Sequence, residues 1–354
     1  MNNISNNRIS IIDGHNDYLS WCIENNITSS KHFLSATDPH SFSYPNLTLA
    51  GLISGFFALW TMKEWCTGVK QQLPHGFTIS LSKSIDRDIA SKEVNTQYSL
   101  LIDIIKSSNN KVSLVRNIND LMLCLTGDRL GVILHMEGAE PLCPRLTDLS
   151  DWYNKGLRSL GLTWARANAF GNGAPYFMPG DPDQGAGLTD NGINLVKACN
   201  ALGILVDVAH LNGKGFWDVY HASSKPFVST HTGCHKICPS SRNLTDEQIL
   251  AIKDKEGLIG ITFSVTELRR DGLSIKQTPP DILIEHILHV CSVAGIEYVA
   301  FGSDYCGGTL PSELEHVLNI RILHRKLLEA GLTTLDLEHL CYKNWLRVLK
   351  KVWL

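Results

Sequence analysis

The chain has 354 residues, 44% of them hydrophobic and 19% charged, with a formal net charge of -3. That balance is enough to bury a sizeable core, and dispersed charges of so small a net value exclude the basic footprint of a nucleic-acid binder and an acidic interaction tail. No run of about 18 apolar residues occurs, residues 1–10 are Asn-rich without the apolar centre of a secretory signal, and residues 350–354 carry no hydrophobic anchor tail, which together predict a cytoplasmic protein with no membrane partner.

No internal repeat of roughly 20–50 residues and no low-complexity linker divides the chain, so residues 1–354 read as one domain. In chain order, short apolar runs predict strands over residues 8–13, 51–60, 131–137, 157–163, 204–209, 225–230, 258–263 and 298–303. Amphipathic stretches between them predict helices over 97–107, 190–202, 245–254 and 280–294, with Thr245-Asp246-Glu247-Gln248 reading as a helix start. Eight strands alternating with helices give an α/β fold, a (β/α)8 TIM barrel of parallel strands. Ten cysteines at irregular spacings are too few for a disulfide scaffold and are expected to be reduced.

A barrel of this kind carries its chemistry at the C-terminal ends of its strands. The residues found there are His15 and Asp17 after the first strand, Glu137 at the third, Trp164 after the fourth, His210 after the fifth, His231 after the sixth and Asp304 after the eighth. His15 and Asp17, one residue apart in an extended segment, point the same way and can bind one ion. Glu137 closes an apolar strand, where an ionised carboxylate is costly without a cationic partner. A metal ion or Arg166 could serve. A single histidine after an apolar strand is ordinarily a core residue, but five suitable ligands at strand ends favour a metal site over five separate coincidences. With Glu137 between the His15/Asp17 pair and the two imidazoles, the natural arrangement is two ions bridged by Glu137, sharing a hydroxide that acts as the nucleophile. Nitrogen and carboxylate donors without thiolate suit zinc best, and manganese or cobalt also fit.

Two other clusters imitate metal sites. Cys234-His235-Lys236-Ile237-Cys238 lacks a second ligand pair at a zinc-finger distance, and Glu285-His286-Ile287-Leu288-His289 has the wrong order for a metalloprotease helix. No Walker, dinucleotide-binding or nucleophile-elbow motif follows a predicted strand, so nucleotide and serine chemistry drop out.

Read together, Ile12-Asp13-Gly14-His15-Asn16-Asp17, Leu134-His135-Met136-Glu137-Gly138-Ala139-Glu140, residues 203–210, Ser229-Thr230-His231-Thr232, Ser241-Arg242-Asn243, Phe301-Gly302-Ser303-Asp304 and Asn344-Trp345-Leu346-Arg347-Val348 resemble, in order and in spacing, the membrane (renal) dipeptidase family. The resemblance runs from Arg8 to the end of the chain. It implies a metal-dependent hydrolase barrel, one zinc on His15, Asp17 and Glu137, and a second on Glu137, His210 and His231. It further implies that Asp304 carries the proton from the attacking water to the departing amine, that Arg242 clamps the free carboxylate of a dipeptide, and that the assembly is a homodimer. Both residue roles make chemical sense, since a carboxylate can act as base and then acid, and a guanidinium offers a planar fork to a carboxylate. Leu162-Thr163-Trp164 departs from the animal members, which have a substrate-holding histidine where Trp164 stands; an indole is only a donor and never charged. That substitution, with the Gly- and Pro-rich loop expected over 174–187, leaves open a second reading, a binuclear amidohydrolase of the same fold acting on a β-lactam or a biosynthetic conjugate. A non-catalytic binding protein is disfavoured by the presence of all five ligands and Asp304.

Overall fold

The structure is a computed structural model; it describes residues 9–35, 42–61, 69–80, 84–126 and 129–353. Eight parallel strands form one sheet in sequential order: β1 (Ile11–Asn16), β2 (Leu52–Trp60), β3 (Leu130–Glu137), β4 (Leu157–Gly161), β5 (Leu205–Asp207), β6 (Phe227–Thr232), β7 (Leu258–Ile261) and β8 (Val299–Phe301). Helices connect them, and a short outer strand, Val112–Leu114, pairs with β3. The sheet curls until β1 meets β8. Across that seam Asp17 N–H donates to the Tyr305 carbonyl at 2.9 Å and Asp304 N–H to the His15 carbonyl at 3.1 Å. Asp13 completes the seam, its carboxylate accepting the backbone N–H of Ser303 at 2.8 Å and the Ser303 hydroxyl at 2.7 Å. Burial pushes that carboxyl up to about 6, with the Ser303 hydrogen bonds pulling against it.

All eight predicted strands are present, with different ends. Parallel barrel strands are buried on both faces, so their apolar runs outlast the hydrogen-bonded ladder. The runs 157–163, 204–209, 258–263 and 298–303 accordingly shrink at their C-terminal ends, while β1 extends to Asn16 and β6 to Thr232. The register shifts between Asp13 and Asn16 of β1 and between Ser229 and Thr232 of β6. Such irregularities re-aim side chains, and these two flank His15 and His231. Arg8 lies outside the described residues.

The predicted helices are observed as Asp190–Leu202, Asp246–Asp254 and Asp281–Val293, and 97–107 is the second half of Arg87–Ser107. Thr245 and Gln248 form a reciprocal capping box at the predicted start. The first half of Arg87–Ser107 is mostly polar; Asp86, accepting from the N–H groups of Asp88 and Ile89, starts it.

The final helix, Asn344–Val352, closes the N-terminal end of the barrel, and its Trp345 is fully buried with Ile12, Leu205, Val228 and Leu258, 4.7 Å from the Phe56 ring. Burying a side chain of this class contributes about 1.5–3 kcal/mol. Trp345 also explains Gly14: a Cβ there would come within 2.7 Å of the indole and 2.6 Å of the Thr230 carbonyl oxygen. The segment 174–187 is not all loop. Tyr176–Met178 pairs with Gly76–Ile79, which pairs with Lys70–Leu73, in a three-stranded antiparallel sheet beside the barrel mouth. Among the described residues no helix is long and apolar enough to cross a membrane, and the nine described cysteines are free thiols.

Candidate metal centre and substrate cavity

The five expected ligands converge at the C-terminal mouth of the barrel. The two oxygens of Glu137 face opposite partners. Oε2 lies 3.6 Å from Nε2 of His15, which is 3.4 Å from Asp17 Oδ2, while Oε1 lies 2.8 Å from Nε2 of His210 and 3.7 Å from Nε2 of His231. The two latter nitrogens are 2.7 Å apart. All five residues are at least nine-tenths buried.

Buried polar atoms are ordinarily hydrogen-bonded. Both ring nitrogens of His15 and Oδ1 of Asp17 are buried and make no hydrogen bond among the described residues. The donor set therefore fits a divalent cation: imidazoles and carboxylates turned toward one another, with no thiolate among them. Ligand atoms of His15, Glu137 and His231 lie within 4.8 Å of one another, as do those of His15, Asp17 and Asp304.

The buried carboxylates favour positive charge between them. Burial alone would raise the Glu137 carboxyl, but His15 and His210 outweigh it and hold the group well below the usual carboxylate range. Burial works against a charge on His15 as well, yet Glu137 and Asp17 lift that imidazole well above its ordinary value. His231 is driven the other way by burial and by the two neighbouring histidines. The competing partner for Glu137 is occupied elsewhere, because Arg166 donates through Nε to Glu140 Oε1 at 3.1 Å.

Asp304 and His210 both adopt left-handed backbone conformations, φ +60° and +64°, uncommon for non-glycine residues and frequent where a site dictates the side-chain direction. Burial, reinforced by Asp17, raises the Asp304 carboxyl well above its ordinary value. Gly307 packs against both carboxylates; a Cβ at that position would lie 2.0 Å from Asp17 Oδ2 and 2.5 Å from Asp304 Oδ1.

A cavity of about 420 Å³ opens over these groups, within the range of small-molecule sites. One wall carries Asp17, the N-cap of the helix Tyr18–Glu24, with Ser20 and Glu24 of that helix, and another carries Trp60, Trp164, Tyr176 and Arg242. Arg242 donates through Nε to Glu267 Oε1 and through Nη1 to the Ala174 carbonyl, both at 3.2 Å, and Nη2 lies against Nδ1 of His210. Its guanidinium carbon sits 4.2 Å from the Tyr176 ring centre and 5.6 Å from that of Trp164, within cation–π range. Trp164 packs beside Trp60, ring centres 5.1 Å apart, with Arg166 also over its ring at 5.2 Å.

Sequence reasoning missed Glu267, Tyr176 and Trp60 at this site. Trp60 ends β2 and Glu267 follows β7, so inspecting those two strand ends as well would have found both; Tyr176 comes from the small antiparallel sheet, whose strands of three or four residues are too short to stand out as strands. The two imitating clusters are structural. Cys234 N–H donates to His286 Nδ1 at 2.8 Å, and burial pushes the Cys238 thiol up to about 12 and the His286 imidazole down to about 4. His289 pairs with Asp246 at 2.7 Å.

The family model of the membrane dipeptidases, peptidase family M19, matches residues 3–353. An uncharacterised protein encoded in the pqqA 5' region of Klebsiella pneumoniae is 40% identical over 257 residues, covering 73% of this chain and 95% of that protein. Among solved structures, the metallopeptidase dipeptidase AC is 31% identical with a TM-score of 0.90, covering 98% of this chain and 99% of its own. A metallopeptidase from Rhodobacter sphaeroides, bound to a phosphinate mimic of the dipeptide L-Ala-D-Ala, is 30% identical with a TM-score of 0.91, covering 98% and 100%.

Proposed function

Because the chain belongs to the membrane dipeptidase family of metal-dependent hydrolases acting on peptide bonds, we propose that it is a zinc dipeptidase cleaving dipeptides with a free C-terminal carboxylate. One ion would be held by His15, Asp17 and Glu137, and a second by Glu137, His210 and His231. The observation that carries this reading is the placement of Glu137, whose two oxygens face His15 on one side and the His210/His231 pair on the other. When bound, two such ions would lower the pKa of a water between them, making hydroxide available at neutral pH, and would polarise the peptide carbonyl.

The remaining chemistry falls to the chain's own residues. Asp304, close to His15 and Asp17, takes the proton released as the water's oxygen bonds to the carbonyl carbon. It then delivers that proton to the amide nitrogen as the C–N bond breaks, so that the amine leaves neutral. Arg242, held by Glu267 and stacked on Tyr176, receives the carboxylate at the C-terminal end of the substrate. Trp164 and Trp60 line the cavity and, with Tyr176, shield the bound dipeptide from water. The dipeptide mimic carried by the Rhodobacter sphaeroides relative supports a substrate of this size.

An Arg–carboxylate hydrogen bond contributes about 1.5–3 kcal/mol, which corresponds to roughly 10- to 100-fold in kcat/KM. A C-terminally amidated dipeptide should therefore be cleaved at least ten-fold less efficiently than its free acid, and Arg242→Met should erase the difference. Equal kcat/KM for the two substrates with the unaltered enzyme removes the clamp role from Arg242.

A further inference from the structure

Beneath the ligands lies a buried polar chain with only one consistent arrangement of protons. Thr230 Oγ1 lies 2.6 Å from Asp207 Oδ2 and 3.0 Å from Nδ1 of His231. The Asp207 carboxylate also accepts, through Oδ1, the backbone N–H groups of Ala209 at 3.0 Å and Thr230 at 2.8 Å. Asp207, Thr230 and His231 are all almost wholly buried, so water does not compete for these bonds. The parallel register that pairs Val228 of β6 with Asp207 of β5 sets the chain in place.

A hydroxyl has one proton to give. Asp207, ringed by N–H donors, is the acceptor, and 2.6 Å is the length of a charge-assisted O–H···O bond. Thr230 must then turn a lone pair toward His231, so Nδ1 of that ring carries its proton. A neutral imidazole protonated at Nδ1 has a bare Nε2, the nitrogen that faces Glu137 and His210.

We propose that Asp207 and Thr230 are positioning residues that lock His231 in its Nδ1–H tautomer and so present its Nε2 lone pair to a divalent cation. The proposal rests on the reading of His231 as a metal ligand. It also separates the histidines: His231 is oriented through a hydrogen-bonded chain, whereas His15, with no hydrogen bond at either ring nitrogen, is held by packing against the His231 ring at 3.8 Å and the His135 ring at 5.5 Å.

The test is zinc binding to metal-stripped protein, measured by competition with a chromophoric chelator, for the unaltered chain and for Thr230→Val, Thr230→Ser, Asp207→Asn and His231→Ala. Loss of an outer partner of a metal-bound histidine costs about 10- to 100-fold in metal affinity. Thr230→Val should weaken one of the two ions by that factor, while Thr230→Ser, which keeps the hydroxyl, should restore it to within a few-fold. Asp207→Asn retains the shape but lets the amide donate to Thr230, freeing the hydroxyl proton for Nδ1 and the ring proton for Nε2; it should weaken zinc similarly and serves if Thr230→Val fails to fold. Wild-type affinity in Thr230→Val or Asp207→Asn, with one ion lost from His231→Ala, overturns the tautomer lock alone, as does a serine variant no better than valine. Two tightly held ions in His231→Ala overturn the ligand reading, and the lock with it.

Discussion

Replacing Glu137 with glutamine is expected to strip metal from the protein and to lower kcat by about three orders of magnitude or more, since in the proposed site the ions would supply several kcal/mol of transition-state stabilisation and each 1.36 kcal/mol is ten-fold in rate. Glutamine keeps the shape and one carbonyl oxygen but removes the charge. That charge is what the site is built around: the group is buried, yet His15 and His210 keep it ionised, and its two oxygens reach toward imidazoles on either side. A neutral amide can join two cations far less well, and its NH2 end would turn a donor toward His15 or His210. Metal content after dialysis, measured beside kcat, checks the expectation. A glutamine variant that holds two ions and turns over normally would remove Glu137 from the site.

Asp304→Asn should behave differently. Proton transfer by a positioned side chain is worth about 10²- to 10⁴-fold, so kcat should fall by that factor while both ions stay bound and KM changes little. The distinction matters because the Asp304 carboxylate lies within 4.8 Å of ligand atoms of His15 and Asp17, close enough for a ligand role to be a real competitor. Metal lost together with activity would make Asp304 a ligand; metal retained with unchanged kcat would leave the proton transfer to some other group.

The barrel was legible because its strands are buried on both faces. Continuous apolar runs such as 131–137 and 258–263 stand out against polar connections, and the proposed ligands stand out because each ends or follows such a run. Less was legible where structure depends on pairings between distant residues. Lys70–Leu73 reads Lys-Gln-Gln-Leu and carries almost no apolar signal, yet it joins Gly76–Ile79 and Tyr176–Met178 to bring Ile79 and Tyr176 to the cavity. The choice of Arg166 for Glu140 rather than Glu137, and of Glu267 for Arg242, turns on distances of about 3 Å across the barrel mouth. Trp164 is the mixed case. The family resemblance marks it as standing where the animal members have a histidine, whereas only the fold reveals that its indole packs between Trp60 and Tyr176 with Arg166 and Arg242 over its ring. In that setting its indole lines the cavity and packs against the Arg242 guanidinium.

The most direct test of the proposed two-ion dipeptidase is a zinc titration of metal-stripped protein while hydrolysis of unblocked L-Ala-D-Ala and L-Ala-L-Ala is followed. Cleavage of at least one of them should be absent from the stripped protein, return as zinc is added and reach its plateau at two ions per chain. Full cleavage without metal, a plateau at one ion, or two ions bound with neither dipeptide cleaved would contradict it.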